Sequence, residues 1–365
     1  MPIESMRALI FDGPGRLSLR QVPRPVPGEG EVLIRVHAAA ICGTDVRIVA
    51  GTKTREVRRG YPIGHECAGT VAAVGPGVEG YAPGQRVAVC VVVSCGQCAY
   101  CLAGRENLCE TRTTLGYATD GAFADYMPIP AQAVRRGNLF HLPDHVALED
   151  GSLIEPLACC LNGQRELGLP YLDSPAGQRG SAFALRAMAD RSAGLVIFGA
   201  GPIGLLHLML ARSYRDPPIG PICVVEPQAG RRELAARLGA DRVCPPDQFD
   251  AADEFDLAIL AVGVPDIVPA AVRAVRKCGR ISLFAGFPVG VSATIDPNAI
   301  HYKQIRVLGA SESRRSDFAE ALALVAVGRL DPSKIVTHRF PLEQYEEAFR
   351  VAADGSALKV ILIMS

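Results

Sequence analysis

Four cysteines, Cys95, Cys98, Cys101 and Cys109, share one short segment, "SCGQCAYCLAGRENLC". Three chemistries use thiols crowded in this way: a disulfide staple, a redox pair or a metal site. A redox pair needs only one Cys-x-x-Cys, and this run has more. Zinc takes four thiolates in a tetrahedron at about 2.3 Å, and closely spaced loop cysteines can wrap it without strain. Gly96 and Gly104 permit the tight winding. Iron–sulfur ligation also uses cysteine runs and is the rival metal. A site closed by four thiolates would be structural, bracing a lobe.

A second set of candidate ligands is scattered. Cys42 lies in "ICGTD", after the strand pattern "EVLIRVHAAA". His65 and Glu66 follow a Pro-x-Gly turn in "YPIGHECAG", and Glu155 precedes a proline in "LIEPLACC". Each alone has a bland reading: a buried thiol, a satisfied core imidazole, a carboxylate at a helix start. Together they make a mixed sulfur, nitrogen and oxygen set. That set suits catalytic zinc, which keeps three protein ligands and one open position.

The third signal is a turn. "LVIFGAGPIGLLHLMLAR" reads as an apolar strand, a turn with Gly199, Gly201, Pro202 and Gly204, and a helix. Glycines there allow a sharp turn and let a pyrophosphate approach the helix N-terminus. A second strand, "PICVVEP", brings Glu226 roughly 20 residues beyond the last glycine, the spacing of a ribose-binding carboxylate. The helical "RRELAARLGAD" follows. The strand patterns "FDLAILAVG" and "GRISLFAGF" flank the helical "VPAAVRAVRKCG". Alternation of this kind predicts a doubly wound α/β unit that binds a dinucleotide.

These sites need a scaffold, and the composition bounds it. The chain has 365 residues, about right for two domains. Hydrophobic residues make up 49% and charged ones 21%, a globular mixture rather than a disordered one. Lys plus Arg equals Asp plus Glu, 38 against 38, so no overall field draws in nucleic acid or a membrane. "MPIESMRALIFDGPG" does not read as a signal peptide. The stretch from Leu195 to Leu210 is too short for a membrane span and carries Gly, Pro and His. The expectation is a cytoplasmic protein with reduced thiols, which weakens the disulfide reading.

With these three motif groups in this order, nearly the whole chain resembles the zinc-dependent medium-chain alcohol dehydrogenases. It looks most like their polyol and threonine dehydrogenase branch. The resemblance implies a GroES-like β-barrel catalytic domain, 1–162 with 302–365 returning to it, and a Rossmann domain of doubly wound parallel sheet, 163–301. The returning part reads as two helices, "DFAEALALVAVGRL" and "LEQYEEAFRVAADG", and a strand, "ALKVILIM".

The resemblance also implies roles. Cys42, His65 and Glu155 match the catalytic zinc ligands, and Glu66 an alternative ligand or close support. Cys95, Cys98, Cys101 and Cys109 match the structural zinc lobe. Thr44 matches the hydroxyl that bonds the reacting oxygen, and Asp45 a partner that orients His65. Ile203, Glu226 and Arg231 match cofactor contacts, and Ala285, Gly286 and Phe287 lie near the nicotinamide. The implied cofactors are two zincs and NAD, and the implied oligomer is a homodimer or homotetramer. The implied activity is hydride transfer from a secondary alcohol, of polyol, cyclitol or sugar-alcohol type, to NAD. The alternatives are an L-threonine or amino-alcohol dehydrogenase, and a zinc- and dinucleotide-binding protein without catalysis.

The chain departs from the family in three places. Arg47 stands where the family often has a relay histidine, and a guanidinium cannot shuttle protons. The residues 170–193 look inserted, and "SYRDPPIGPI" lengthens a connection before Glu226. The loop "GTKTREVRRGY" is basic, with Lys53, Arg55, Arg58 and Arg59. It reads as a solvated loop or, in the sharper form, as a site for an anionic substrate such as a polyol phosphate.

Overall fold

A run of small and apolar residues, Val32–Ile41, forms a strand paired on both sides. It runs antiparallel to Glu66–Val74 along one stretch, with Ala40 opposite Glu66, and to Lys359–Ile363, with Ile41 opposite Val360. Its pattern is nearly continuous in apolar residues because a strand with neighbours on both edges and cover on both faces has no side to give to water. Around it lies a seven-stranded sheet, and a three-stranded sheet holds Ser5–Gly13, Arg16–Pro23 and Tyr61–Pro62. Phe123, fully buried, meets Phe349 edge-on at 5.8 Å in the shared core.

This computed structural model describes residues 4–53, 55–169, 192–214 and 219–364. The chain forms two units: Met1–Ala158 with Ser313–Ser365, and Cys159–Glu312. The first crossing falls inside the helix Ile154–Glu166. The return comes at 313 rather than 302 because the strand Arg306–Gly309 stays in the second unit, paired in parallel with Val275–Leu283. The two expected tail helices are Arg315–Ala326 and Tyr345–Ala353. The insertion read at 170–193 lies outside the described residues but for its last two, as do residues 215–218 of the lengthened connection.

The second unit is a six-stranded parallel sheet. Its order is Arg242–Cys244, Ile219–Val225, Ala193–Phe198, Phe255–Leu260, Val275–Leu283 and Arg306–Gly309. The sequence runs outward from the middle in both directions, the order of a doubly wound dinucleotide fold. The apolar stretch from Leu195 to Leu210 divides into the end of Ala193–Phe198 and most of the helix Pro202–Ser213. Among the described residues, no helix is long and apolar enough to cross a membrane.

Candidate metal centres and dinucleotide site

The strand Val32–Ile41 runs directly into the helix Gly43–Val49, with Cys42 as its N-cap in extended conformation. Asp45, fully buried, turns back. Its Oδ2 accepts from the Cys42 backbone N–H at 2.9 Å, and its Oδ1 lies 3.2 Å from His65 Nδ1. This partner fixes the tautomer that leaves His65 Nε2 as a bare lone pair. Gly64 precedes His65 with φ +101°, and a Cβ there would meet the Phe123 ring at 2.7 Å, so the turn needs glycine. Candidate ligand atoms of Cys42, His65 and Glu66 then lie within 4.8 Å of one another. Burial alone would depress the His65 imidazole, but the charges of Asp45 and Cys42 outweigh it and hold it well above its ordinary value. A partly buried set of sulfur, nitrogen and carboxylate donors that favours positive charge at this point fits a dication.

The expected ligand Glu155 is buried in the first turn of Ile154–Glu166 but is not one of the three residues so gathered. Its charge still acts on Cys67 and Tyr117, which places it in the same neighbourhood. Glu66 comes close to Cys42 because it lies on the neighbouring strand, opposite Ala40. A lysine holds it there. Lys359, 3% exposed, pairs with Glu66 and donates to the Ile41 carbonyl at 3.2 Å. Sequence reasoning missed this role. The available signal was a lone cation inside the apolar strand "ALKVILIM", which needs a partner if buried.

Tyr117 was missed as well. Its hydroxyl lies 3.2 Å from His65 Nε2, and the two rings meet edge-on at 4.8 Å. Gly116 makes this possible: a Cβ there would come within 2.2 Å of the Gly64 carbonyl. Burial, then the charges of Cys42, Asp45 and Glu155, raise the phenol well above its ordinary value, so it stays protonated. Thr44 sits beside Cys42, and Arg47 Nη2 donates to its Oγ1 at 3.1 Å. The basic loop reaches this neighbourhood. Lys53 Nζ stands 5.1 Å from the centre of the Tyr117 ring, and the Arg58 N–H donates to the Tyr117 carbonyl at 2.9 Å. Arg58 itself stacks on Tyr61.

The four cysteines of the opening motif come together, their sulfurs within 4.8 Å of one another. Backbone N–H groups of Gln97 and Cys98 donate to Cys95 Sγ at 3.4 and 3.3 Å, and that of Cys95 to Cys109 Sγ at 3.3 Å. The Gln97 and Cys98 donors pull the Cys95 thiol down to about 6. Burial, with neighbouring thiols, pushes Cys101 up to about 11. One thiolate forming makes the next harder, and a dication at the centre would relieve that conflict. All twelve cysteines are free thiols, so the disulfide reading falls away.

In the second unit the glycine turn closes tightly. Gly199 has φ +96°, and its N–H donates to the Val225 carbonyl at 2.8 Å. A Cβ on Gly204 would lie 1.9 Å from the Gly199 carbonyl, while one on Gly201 would meet nothing within 4 Å. So Gly204 packs the helix on the turn, and Gly201 leaves open space at the N-terminus of Pro202–Ser213, where Pro202 and Ile203 begin the helix. Glu226 is buried. Its Oε2 accepts from Ala200 N at 2.7 Å and its Oε1 from Gln228 N at 3.0 Å. Arg231 stands two residues into the next helix. Its neighbour Arg232, not singled out by the sequence, donates to the carbonyls of Glu226 and Pro227. Ala285, Gly286 and Phe287 follow the strand Val275–Leu283, with Ala285 N donating to the Leu260 carbonyl at 3.0 Å.

Residues 28–143 match the alcohol dehydrogenase GroES-like domain, and residues 178–364 match the glucose dehydrogenase C-terminus. An L-threonine 3-dehydrogenase of Pyrococcus furiosus is 33% identical, over 95% of this chain and 94% of that protein. A zinc-binding dehydrogenase of Sinorhizobium meliloti, solved bound to NADP, is 28% identical with a TM-score of 0.86, covering 99% of each chain. A short chain alcohol dehydrogenase of Escherichia coli, solved with NADH, is 27% identical with a TM-score of 0.84, covering 98% of this chain and 99% of that one.

Proposed function

We propose a reaction for this chain from one premise: it belongs to the zinc-dependent medium-chain alcohol dehydrogenase family. The reaction is oxidation of a secondary alcohol to a ketone with transfer of hydride to NAD. The observation that carries it is the gathering of Cys42, His65 and Glu66 within 4.8 Å, beside the Thr44 hydroxyl and the oriented Asp45. In this reading Cys42 and His65 hold a catalytic zinc with Glu66 or Glu155, and Cys95, Cys98, Cys101 and Cys109 hold a structural one. Zinc so held supplies Lewis acidity, which favours the alkoxide form of an alcohol.

The chain's own groups do the rest. Asp45 accepts the Nδ1 proton of His65 and keeps Nε2 free to ligate. Thr44 Oγ1 accepts from Arg47 and contacts the Tyr117 hydroxyl, and its O–H can turn to donate to the reacting oxygen. Arg47 stays charged and passes no proton onward. The glycine turn takes the pyrophosphate, and Glu226 takes the ribose hydroxyls. The Glu226 carboxylate supports NAD over NADP, because a 2′-phosphate would face a like charge. The NADP found in a similar structure makes this preference the first thing to measure.

The substrate is a polyol-type secondary alcohol. L-threonine is the second reading, supported by relatives of that name at 33% identity across almost the full chain. A screen of NAD and NADP reduction tests both, using polyols, cyclitols, sugar phosphates, L-threonine and amino alcohols, with zinc-replete and chelator-treated protein. Zinc-dependent reduction by one class assigns the substrate. A zinc-replete protein that reduces neither cofactor with any of them leaves the binding-protein alternative and overturns the reading.

A further inference from the structure

We propose that Tyr117 contacts the substrate and reads a second polar group on the carbon next to the reacting one. The proposal rests on the dehydrogenase reading above and deepens it: the preferred substrates are alcohols with a neighbouring hydroxyl or amine, not simple alcohols.

A Cβ on Gly116 would strike the Gly64 carbonyl and one on Gly64 the Phe123 ring, and each glycine is followed by a functional residue, Tyr117 and His65. The backbone thus brings Tyr117 to the metal cluster from a segment far away in sequence. Its hydroxyl lies 3.2 Å from His65 Nε2, the very atom that Asp45 keeps bare. When that nitrogen gives its lone pair to a metal, it can no longer accept from the phenol. The phenol then needs another partner.

The protein offers few. Among the described residues, Thr44 is the other side chain in hydrogen-bond contact with Tyr117, and one of the two acceptor sites on its oxygen is taken by Arg47 at 3.1 Å. Thr44 also serves the reacting oxygen in the reading above. A second hydroxyl beside it gains most from a different atom of the substrate. A tyrosine hydroxyl can donate or accept, so it suits a neighbouring alcohol and a neighbouring amine alike. The position is also held firmly. Lys53 stands over the ring at 5.1 Å, and the Arg58 N–H pins the Tyr117 carbonyl at 2.9 Å. A site built to bond a polar group discriminates against substrates that lack it, because its own group is left unpaired.

The experiment compares the parent with Tyr117→Phe, which keeps the ring and removes only the hydroxyl. Turnover of 2,3-butanediol and L-threonine is set beside that of 2-butanol, each as kcat/KM. Calorimetry adds a readout without turnover: binding of 2,3-butanediol to the zinc-loaded protein without nicotinamide. Zinc content is measured for both proteins. The expected result is a parent that favours the vicinally substituted substrates. In the variant their kcat/KM falls about tenfold and diol binding weakens by a like factor, with 2-butanol within about twofold and zinc unchanged. Equal losses on all substrates, no change on any, or a parent that prefers 2-butanol would overturn the proposal while leaving the dehydrogenase reading intact. A variant that loses its zinc would also overturn it, since the hydroxyl would then be holding the metal site. A parent that oxidises none of the three overturns this proposal, and the wider substrate screen above decides the dehydrogenase reading.

Discussion

Replacing Lys359 by Met should destabilise the first unit severely, by an amount set by the charge it leaves behind. Lys359 is 3% exposed and Glu66 1%, and the ammonium also donates to the Ile41 carbonyl. Methionine fills much the same space, so little packing is lost. What remains is a carboxylate out of water that has lost its ammonium partner. Breaking a buried pair by removing one partner costs about 3–5 kcal/mol, whereas replacing both by apolar groups is often neutral. Chelator-treated Lys359→Met should therefore unfold about 3–5 kcal/mol more easily than the parent, and Lys359→Met/Glu66→Leu should recover most of that loss. Zinc should shrink the penalty of the single variant, because Glu66 then has a dication to face. Urea unfolding of all three proteins, followed by circular dichroism with and without zinc, gives the numbers. A single-variant cost below about 1 kcal/mol, or a double variant whose loss is the plain sum of its parts, would refute the reasoning.

Elemental analysis should find close to two zincs per chain. Cys95→Ser should lower stability more than turnover, while Cys42→Ser should abolish turnover and leave the circular dichroism spectrum unchanged. Glu226→Ser should move the kcat/KM ratio toward NADP by about tenfold or more, as removal of a like charge facing a 2′-phosphate is worth about 1–3 kcal/mol; a parent that already prefers NADP contradicts the assignment. Burial drives His207 down to about 3 in the folded protein. The unfolded chain takes up that proton first, so stability should fall as pH drops from about 6.5 toward 3, by at most about 1.4 kcal/mol per pH unit. Urea midpoints at pH 7.5 and pH 5 should separate more for the parent than for His207→Leu, and equal separations would count against it.

How much of this was legible depends on how local the signal is. Four thiols in one loop, or three glycines between strand and helix, declare themselves because the residues that cooperate are neighbours in the chain. Glu226 could be found because the βαβ unit fixes its distance from the glycine turn. Tyr117 could not: nothing in "LGYATDG" says that its glycine will pack on the glycine before His65. The same holds for the choice between Glu66 and Glu155. Both are carboxylates near a proline or a turn. Only the pairing of Ala40 with Glu66 and of Ile41 with Val360 sets Glu66 between Cys42 and Lys359. Sheet register is a long-range property, and a single sequence does not print it.

The discontinuity of the first unit has a consequence for birth on the ribosome. Ile41 and Lys359 are joined across 318 residues. At about 5–20 residues per second, the strand Val32–Ile41 waits roughly 15–60 s for the strand that completes its edge. Residues 159–312 form a continuous unit and are free to fold during that wait. The nascent chain therefore carries an unfinished apolar edge at Ala38–Ile41 until its last strand emerges, and such an edge invites strand pairing with other chains. Polysomes crowded with this message are where a holding chaperone would matter most, and slowing translation after residue 312 should lengthen the exposure.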